Sequence, residues 1–380
     1  MTGSDADLRV CFFIPSLGDG GAQRQCVALL NALQHRAGLD LHLILLARGT
    51  YEEDLRTERL TIHRIDVDDF GGPGALVFVV RVLRRIKPDV LISWLHPADI
   101  WSYVATRLLR RIPWIMTERG SRYPDRRVYR LRTRLGLRGP AMIIANSPAG
   151  ADVWTSQGAR SPVRIVPNMV LDADRPIAVR SDRATAADCV VVGRLEPQKN
   201  VVAVASAFAC FAVHHPMSTL RIVGTGGEAD EVSRIARDAD LAGRIVLDGF
   251  RSDVPDIMAR ARLLLSFSRF EGMPNVLMEA VRAGLPSVVS DIPEHRHLLG
   301  DDYPYYVPLD APAAVAADVI DRAWNDVPSP AIYAHAREVL VSSEPDEVVA
   351  GYVDAFITVA GAPRAGDTRA AGIRRLLART

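Results

Sequence analysis

In the stretch RFEGMPNVLMEA, residues 269–280, two glutamates, Glu271 and Glu279, bracket a turn that carries Gly272 and Pro274. The turn joins an apolar run, RLLLSF (262–267), to NVLMEAVRAG, which reads as a helix with Pro274 before its first turn and Gly284 at its end. A helix start aims backbone N–H groups outward and suits an anion. Leu277, Ala280, Val281 and Gly284 give this helix an apolar stripe, and Glu279 falls on the other side, one turn in. From there its carboxylate can reach round the helix end to grip vicinal hydroxyls. A blander account also exists. Glu279 and Arg282 stand three apart and can form a surface pair worth a few tenths of a kcal/mol, about 0.2–0.5, and Glu271 can be an ordinary polar turn residue.

Three other stretches carry chemistry at the ends of apolar runs. In VGRLEPQKN (192–200), Gly193 ends a buried run, and Arg194 and Lys199 follow it. Arg as a planar fork and Lys as a point charge can hold a diphosphate; alternatively both are solvated, one paired with Glu196. In GDGGAQR (18–24), Gly20 and Gly21 allow close backbone approach at a helix start. The string lacks both the G-x-G-x-x-G spacing of dinucleotide folds and the Lys-Ser/Thr of a phosphate-binding P-loop. His96, in SWLHPAD, follows another apolar run and can donate to a sugar hydroxyl or move a proton.

The elements that must hold these residues alternate along the chain. Strands are expected at 9–17, 41–47, 89–95, 114–119 and 141–147, with helices between them, the first over 22–36. The pattern stops near 168–187, which is polar and proline-containing, and restarts with strands at 188–195, 219–227, 244–250, 262–267 and 286–291. Continuous apolar strands separated by helices predict parallel sheets covered on both faces. The expected fold class is therefore α/β, with two Rossmann-like domains facing each other across a cleft. The boundaries read as an N-terminal domain over 1–170, a linker over 171–187, a second domain over 188–360 and a basic tail over 361–380. In open parallel sheets ligands bind beyond the carboxyl ends of the strands.

Bulk properties exclude several classes. Lys and Arg number 46 against 45 Asp and Glu, so the whole chain is no polycation, and aromatic stacking motifs for nucleic acid are missing. Cys11, Cys26, Cys189 and Cys210 show no metal-ligand spacing and read as reduced, buried small hydrophobes. The first residues, MTGSDADLRV, do not read as a signal peptide, and ALVFVVRVL (75–83) is too short to span a bilayer. A cytoplasmic location is expected.

The run EGMPNVLMEA resembles the E-x7-E element of GT-B glycosyltransferases, particularly glycosyltransferase family 4. The rest agrees in order over residues 9–360: the N-terminal GG loop, VGRLEPQKN, IVGTGG, the GFRSD turn at 249–253 and AGLPSVVSD. The resemblance implies a nucleotide-sugar donor bound mainly by the C-terminal domain, an acceptor on the N-terminal one, and transfer with retention of anomeric configuration. It implies that Glu279 binds the donor ribose, Glu271 the transferred sugar, and Arg194 and Lys199 the diphosphate. Amides around Gly272, Met273, Asn275 and Val276 should face that diphosphate. Gly20 and Gly21 should leave room for the phosphates, Gly224 should belong to the donor-binding set, Phe250 and Arg251 should lie near the base, and His96 near the sugar. No cofactor or metal is implied, so the D-x-D-like triplets at 66–68, 172–174 and 238–240 are given no role. The branch resembled favours UDP-hexoses or UDP-N-acetylhexosamines.

Residues 107–138 hold eleven arginines against Glu118 and Asp125. In 126–138, Val128, Leu131 and Leu135 can share a helical face, by which a solvated helix would pack. The functional alternative is docking on anionic lipid, at the inner face of the membrane, toward a polyprenyl-linked glycan acceptor. TER at 117–119 resembles the S-E-R-N of a branch that extends bacterial surface glycans, with Gly120 in place of Asn, which makes Glu118 and Arg119 candidate acceptor-site residues. A retaining glycosyltransferase of surface polysaccharide or glycoconjugate synthesis leads. A GT-B sugar-nucleotide epimerase would share fold and donor without an acceptor, and a nucleic-acid-binding protein is the third alternative.

Overall fold

A computed structural model describes residues 8–67, 72–110, 112–171, 188–241, 243–326 and 330–361. The chain divides into two units, one through Met169 and again from Ser342, the other Val170–Val341. The expected linker, from 172 on, and the tail, from 362 on, lie outside the described residues, as do Arg111 and two of the acidic triplets in whole or part.

In the first unit the described elements are β1 (Leu8–Phe13), α1 (Gly21–Leu33), β2 (Leu39–Leu45), β3 (Leu60–Arg64), α2 (Pro73–Ile86) and β4 (Val90–Ser93). There follow α3 (His96–Leu109), β5 (Trp114–Glu118), α4 (Arg127–Gly136), β6 (Met142–Ala145), α5 (Pro148–Thr155) and β7 (Val163–Ile165). The seven strands are parallel in the order β3-β2-β1-β4-β5-β6-β7. Its inner strands are buried throughout, as at VLIS of β4 and MIIA of β6, because helices cover both faces. The order reverses between β1 and β4, and there the carboxyl ends of two adjacent strands feed helices in opposite directions.

The second unit repeats the scheme with β8 (Asp188–Val192), α6 (Val201–Ala212), β9 (Thr219–Val223), α7 (Ala229–Asp238), β10 (Ile245–Gly249), α8 (Val254–Arg260) and β11 (Leu263–Ser266). It continues through α9 (Asn275–Arg282), β12 (Ser287–Ser290), α10 (Pro293–Leu299), β13 (Tyr306–Val307), α11 (Ala313–Asn325) and α12 (Ala334–Val341). Its order is β10-β9-β8-β11-β12-β13, again parallel, with the reversal between β8 and β11. Val190, Leu220, Leu264 and Val288 on the sheet and Phe208 and Ala280 on the helices meet in one core.

Three expectations need correction. The second domain does not run to residue 360, because the last helix, α13 (Pro345–Ala360), belongs to the first unit. Tyr352 and Phe356 are fully buried, Tyr352 stacked on Trp94 and Phe356 edge-on to Phe12, so its apolar face completes the first core. Cys210 is exposed, whereas Cys11, Cys26 and Cys189 are buried as expected. The stripe on α4 is not what packs: Val128 and Leu131 are exposed, and the face turned inward carries Arg132, 3 % exposed.

Candidate active site

At the β8/β11 reversal, three loops nest by backbone contact. Gly193 N–H donates to Val223 O at 2.9 Å, Leu195 N–H to Thr225 O at 2.8 Å and Gly224 N–H to Gly249 O at 2.7 Å. Gly224 has φ +140, and a Cβ there would lie 1.9 Å from Gly193 O, so only glycine lets the two strand ends approach. Gly226, which the sequence reading passed over, is equally confined, with Leu195 O 2.3 Å from its would-be Cβ.

The loop after β8 is then bound to the loop before α9. Arg269 N–H donates to Gln198 O at 2.8 Å, and Gln198 Nε2 donates to Phe270 O at 3.0 Å. Across this junction Lys199 Nζ donates to Glu271 Oε1 at 2.6 Å, with side-chain exposures of 23 % and 8 %. Burial pushes the Glu271 carboxyl up, but the Lys199 charge and hydrogen bond outweigh it, and the group ends below the usual carboxylate range. Glu271 is therefore an anion held by a cation. Arg194 stands half exposed beside them, its Nη1 2.8 Å from Glu196 Oε1. The pairing with Glu196 foreseen as the bland account is thus present.

Helix α9 starts at Asn275 with Pro274 as its N-cap, no side-chain cap and no acid in the first turn. A helix start of this kind suits an anion. Asn275 N–H donates to Met273 O at 3.0 Å, so this amide is engaged in a local turn rather than aimed outward as expected. Gly272 is buried, while Met273, Val276 and Glu279 are half-buried beside the helix start. Phe250 is exposed at the end of β10, and Arg251 is paired with Asp253 at 2.6 Å. The structure thus brings Lys199 and Glu271 together ahead of α9, leaves Arg194 on Glu196, and packs Gly224 against Gly193. Behind them, His295 on α10 is fully buried, and sequence reading missed it.

In the first unit, Leu95 takes φ +75, a strained turn for a residue with a side chain, and starts α3 at His96 just past β4. His96 packs its ring on Tyr129, 4.8 Å between centroids. Burial and then the nearby Arg132 charge depress its pKa to about 4, so it is neutral at pH 7. Trp94 Nε1 donates to Ala22 O at 2.8 Å and anchors the start of α1. Gly20 is its extended N-cap, where a Cβ would meet only the end of Gln23, and Gly21 opens the helix. The glycine that this loop does require is Gly49, whose Cβ would lie 2.1 Å from the carbonyl carbon of Leu17.

Glu118 and Arg119 are committed inside the unit. Glu118 is fully buried: Oε1 accepts from the amides of Arg119 (2.9 Å) and Gly120 (3.1 Å) and from Tyr123 OH, and Oε2 from Arg132 Nη1 (2.8 Å) and Trp154 Nε1 (2.9 Å). Arg132 Nε donates to buried Asp99 at 2.6 Å. Glu118 therefore organises the loop after β5, and both its oxygens are engaged within the unit. Arg119 lies 4.1 Å over Trp94, with Nη2 2.7 Å from Asn168 Oδ1 and Nη1 3.3 Å from Tyr352 OH, so it holds α13 in place.

With this geometry in view, residues 19–173 match the family described as Glycosyltransferase Family 4, and residues 186–325 match Glycosyl transferases group 1. The chain belongs to the family 4, group 1 glycosyltransferases. It is 27% identical over 279 residues to the lipopolysaccharide core biosynthesis glycosyltransferase LpsE of Rhizobium meliloti, covering 71% of this chain and 75% of that one. It is 34% identical over 116 residues, 30% of each chain, to the Escherichia coli UDP-Gal:alpha-D-GlcNAc-diphosphoundecaprenol alpha-1,3-galactosyltransferase. Among solved structures it is similar to Anabaena HepE in complex with UDP and glucose, with a TM-score of 0.75 at 19% identity, over 92% of this chain and all of that one. That likeness bears on the fold, which is GT-B.

Proposed function

We propose that this glycosyltransferase moves a hexose or N-acetylhexosamine from a UDP-sugar to a lipid-linked glycan, with retention of configuration and without a metal. The observation that carries the proposal is the Lys199–Glu271 pair, which joins the loop after β8, where Arg194 also lies, to the loop that leads into α9 at the β8/β11 reversal. As the bond from sugar to phosphate breaks, negative charge grows on the diphosphate. Two cations and a helix start stabilise it where it develops. The helix start alone contributes about 0.3–2 kcal/mol. Glu271 would hold the transferred sugar, Glu279 the ribose, and Phe250 and Arg251 would flank the base. Neutral His96 would serve as a hydrogen-bond partner to the sugar rather than as a standing acid. The leaving phosphate would itself accept the proton of the acceptor hydroxyl, on the face from which it departs.

The UDP-bound HepE structure and the E. coli relative that acts on a diphosphoundecaprenol acceptor support UDP and a lipid-linked glycan. On the first unit, exposed Leu108, Val128 and Leu131 stand among exposed Arg107, Arg110, Arg122, Arg126, Arg127, Arg130 and Arg134, a surface suited to anionic lipid at about 1 kcal/mol per cation. Among the described residues no helix is long and apolar enough to cross a membrane. The deciding experiment supplies UDP-glucose, UDP-galactose or UDP-N-acetylglucosamine with undecaprenyl-diphosphate glycans and follows UDP release, with the anomer of the product read by NMR. Acceptor-dependent release and a retained anomer are expected. An inverted anomer, or release of UDP that no acceptor alters, contradicts the proposal.

A further inference from the structure

His295 is fully buried on α10, and its Nδ1 lies 2.8 Å from Ser290 O. A carbonyl only accepts, so Nδ1 carries the hydrogen and Nε2 presents a lone pair. That Nε2 is buried and has no hydrogen-bond partner among the described residues. Ser290, at the end of β12, also donates its Oγ to Ser268 O at 2.5 Å, three residues before Glu271, so the ring is tied to the loop that carries the carboxylate. The charged groups acting on the ring are Glu271 and Lys199 from the neighbouring loops and Glu294 from its own helix, while Tyr306 OH contacts only its backbone oxygen.

If the diphosphate is held as described under the proposed function, Lys199 must turn from Glu271 toward it. A buried carboxylate that loses the lysine paired with it is disfavoured. We propose that His295 is a positioning residue that takes up one proton from solvent on Nε2 as Lys199 leaves, so that Glu271 keeps a cationic neighbour and its aim at the sugar. In the ligand-free protein burial holds the ring neutral, Glu271 favours its charged form and Lys199 opposes it. Moving Lys199 onto an anion removes the opposition and leaves the favourable influence, so the sign is uptake. The inference rests on the donor reading above and adds a residue that reading does not use.

The test is calorimetric titration of the folded full chain at pH 7 in PIPES and in Tris, whose ionisation enthalpies differ. The ligands are UDP-glucose, UDP-galactose and UDP-N-acetylglucosamine, whose diphosphate diesters do not titrate near pH 7. Wild type should show a buffer-dependent enthalpy corresponding to uptake of up to about one proton. His295→Asn, which keeps a donor toward Ser290 O, should lose the buffer dependence and bind roughly tenfold more weakly. Glu271→Gln should lose the buffer dependence as well. Binding to wild type with buffer-independent enthalpy overturns the proposal and leaves the donor site standing. Proton uptake that survives in His295→Asn overturns the assignment to this residue. Absence of heat with all three UDP-sugars overturns the donor reading, and this inference with it.

Discussion

Lys199 Nζ lies 2.6 Å from Glu271 Oε1, joining two loops whose residues stand 72 apart in the sequence. The contact brings a cation and a buried anion to the one place in the second sheet where the strand order reverses. Removing the cation alone takes the charge partner from a carboxylate that is 8 % exposed. Lys199→Met should therefore cost about 3 kcal/mol in denaturant unfolding, and Lys199→Met with Glu271→Leu should recover most of it. Since the folded Glu271 carboxyl titrates below its ordinary value, the pair's contribution is present above that value and is lost as pH falls through the depressed one. Glu271→Gln should accordingly be less sensitive to acid below about pH 4.5.

The glycine-dependent nesting of loops is tested by neighbours with opposite surroundings. Gly224→Ala drives a Cβ to within 1.9 Å of Gly193 O, whereas Gly227→Ala meets nothing within 4 Å. The first should lose nucleotide binding and several kcal/mol, about 2–4, of stability, and the second should change either by less than about 0.5 kcal/mol. Thermal melts with and without UDP decide between these outcomes.

Arg132→Met should destabilise the first unit by about 3–5 kcal/mol, because it leaves the Asp99 and Glu118 carboxyls buried together. Burial already holds the Asp99 carboxyl above its ordinary range, with Arg132 the chief influence opposing it. Glu118→Gln should cost less, about 1–3 kcal/mol, since the amide oxygen still accepts on one side and Arg132 keeps Asp99. A Glu118→Gln protein with unchanged melting and a loss confined to acceptor KM would mark Glu118 as an acceptor ligand.

The exposed apolar and cationic face of α4 should bind liposomes that contain phosphatidylglycerol and not those of phosphatidylcholine alone. Leu131→Glu should weaken that binding roughly tenfold, and raising salt should weaken it further. Equal sedimentation of wild type and Leu131→Glu would show that this face does not meet the membrane.

The sheets were legible because their inner strands are uninterrupted apolar runs, as at VLIS and SVVS. β3 was missed because LTIHR alternates polar residues on an exposed edge, and β7 because it has three residues. α13 was given to the wrong unit since an apolar helical face does not encode which of two sheets it will cover. In the candidate site, Lys199 and Glu271 are legible because they follow the apolar runs of β8 and β11, and the two strand ends bring them together. The burial of Glu118 and Arg132 was not, because their partners Asp99, Tyr123 and Trp154 come from separate elements. His295 gave no signal of its own: a histidine near a helix start has no spacing that marks it as buried beside a carboxylate.

The second unit should bind a nucleoside diphosphate through the start of α9 and Glu279. Calorimetric titration of wild type and Glu279→Ala with UDP, GDP, ADP and NAD tests it most directly. Selective binding of UDP by wild type, weakened about tenfold or more in Glu279→Ala, is the result expected when a carboxylate loses its hydroxyl partners. Absence of binding by the folded wild-type protein, or equal UDP affinity in the two proteins, would contradict it.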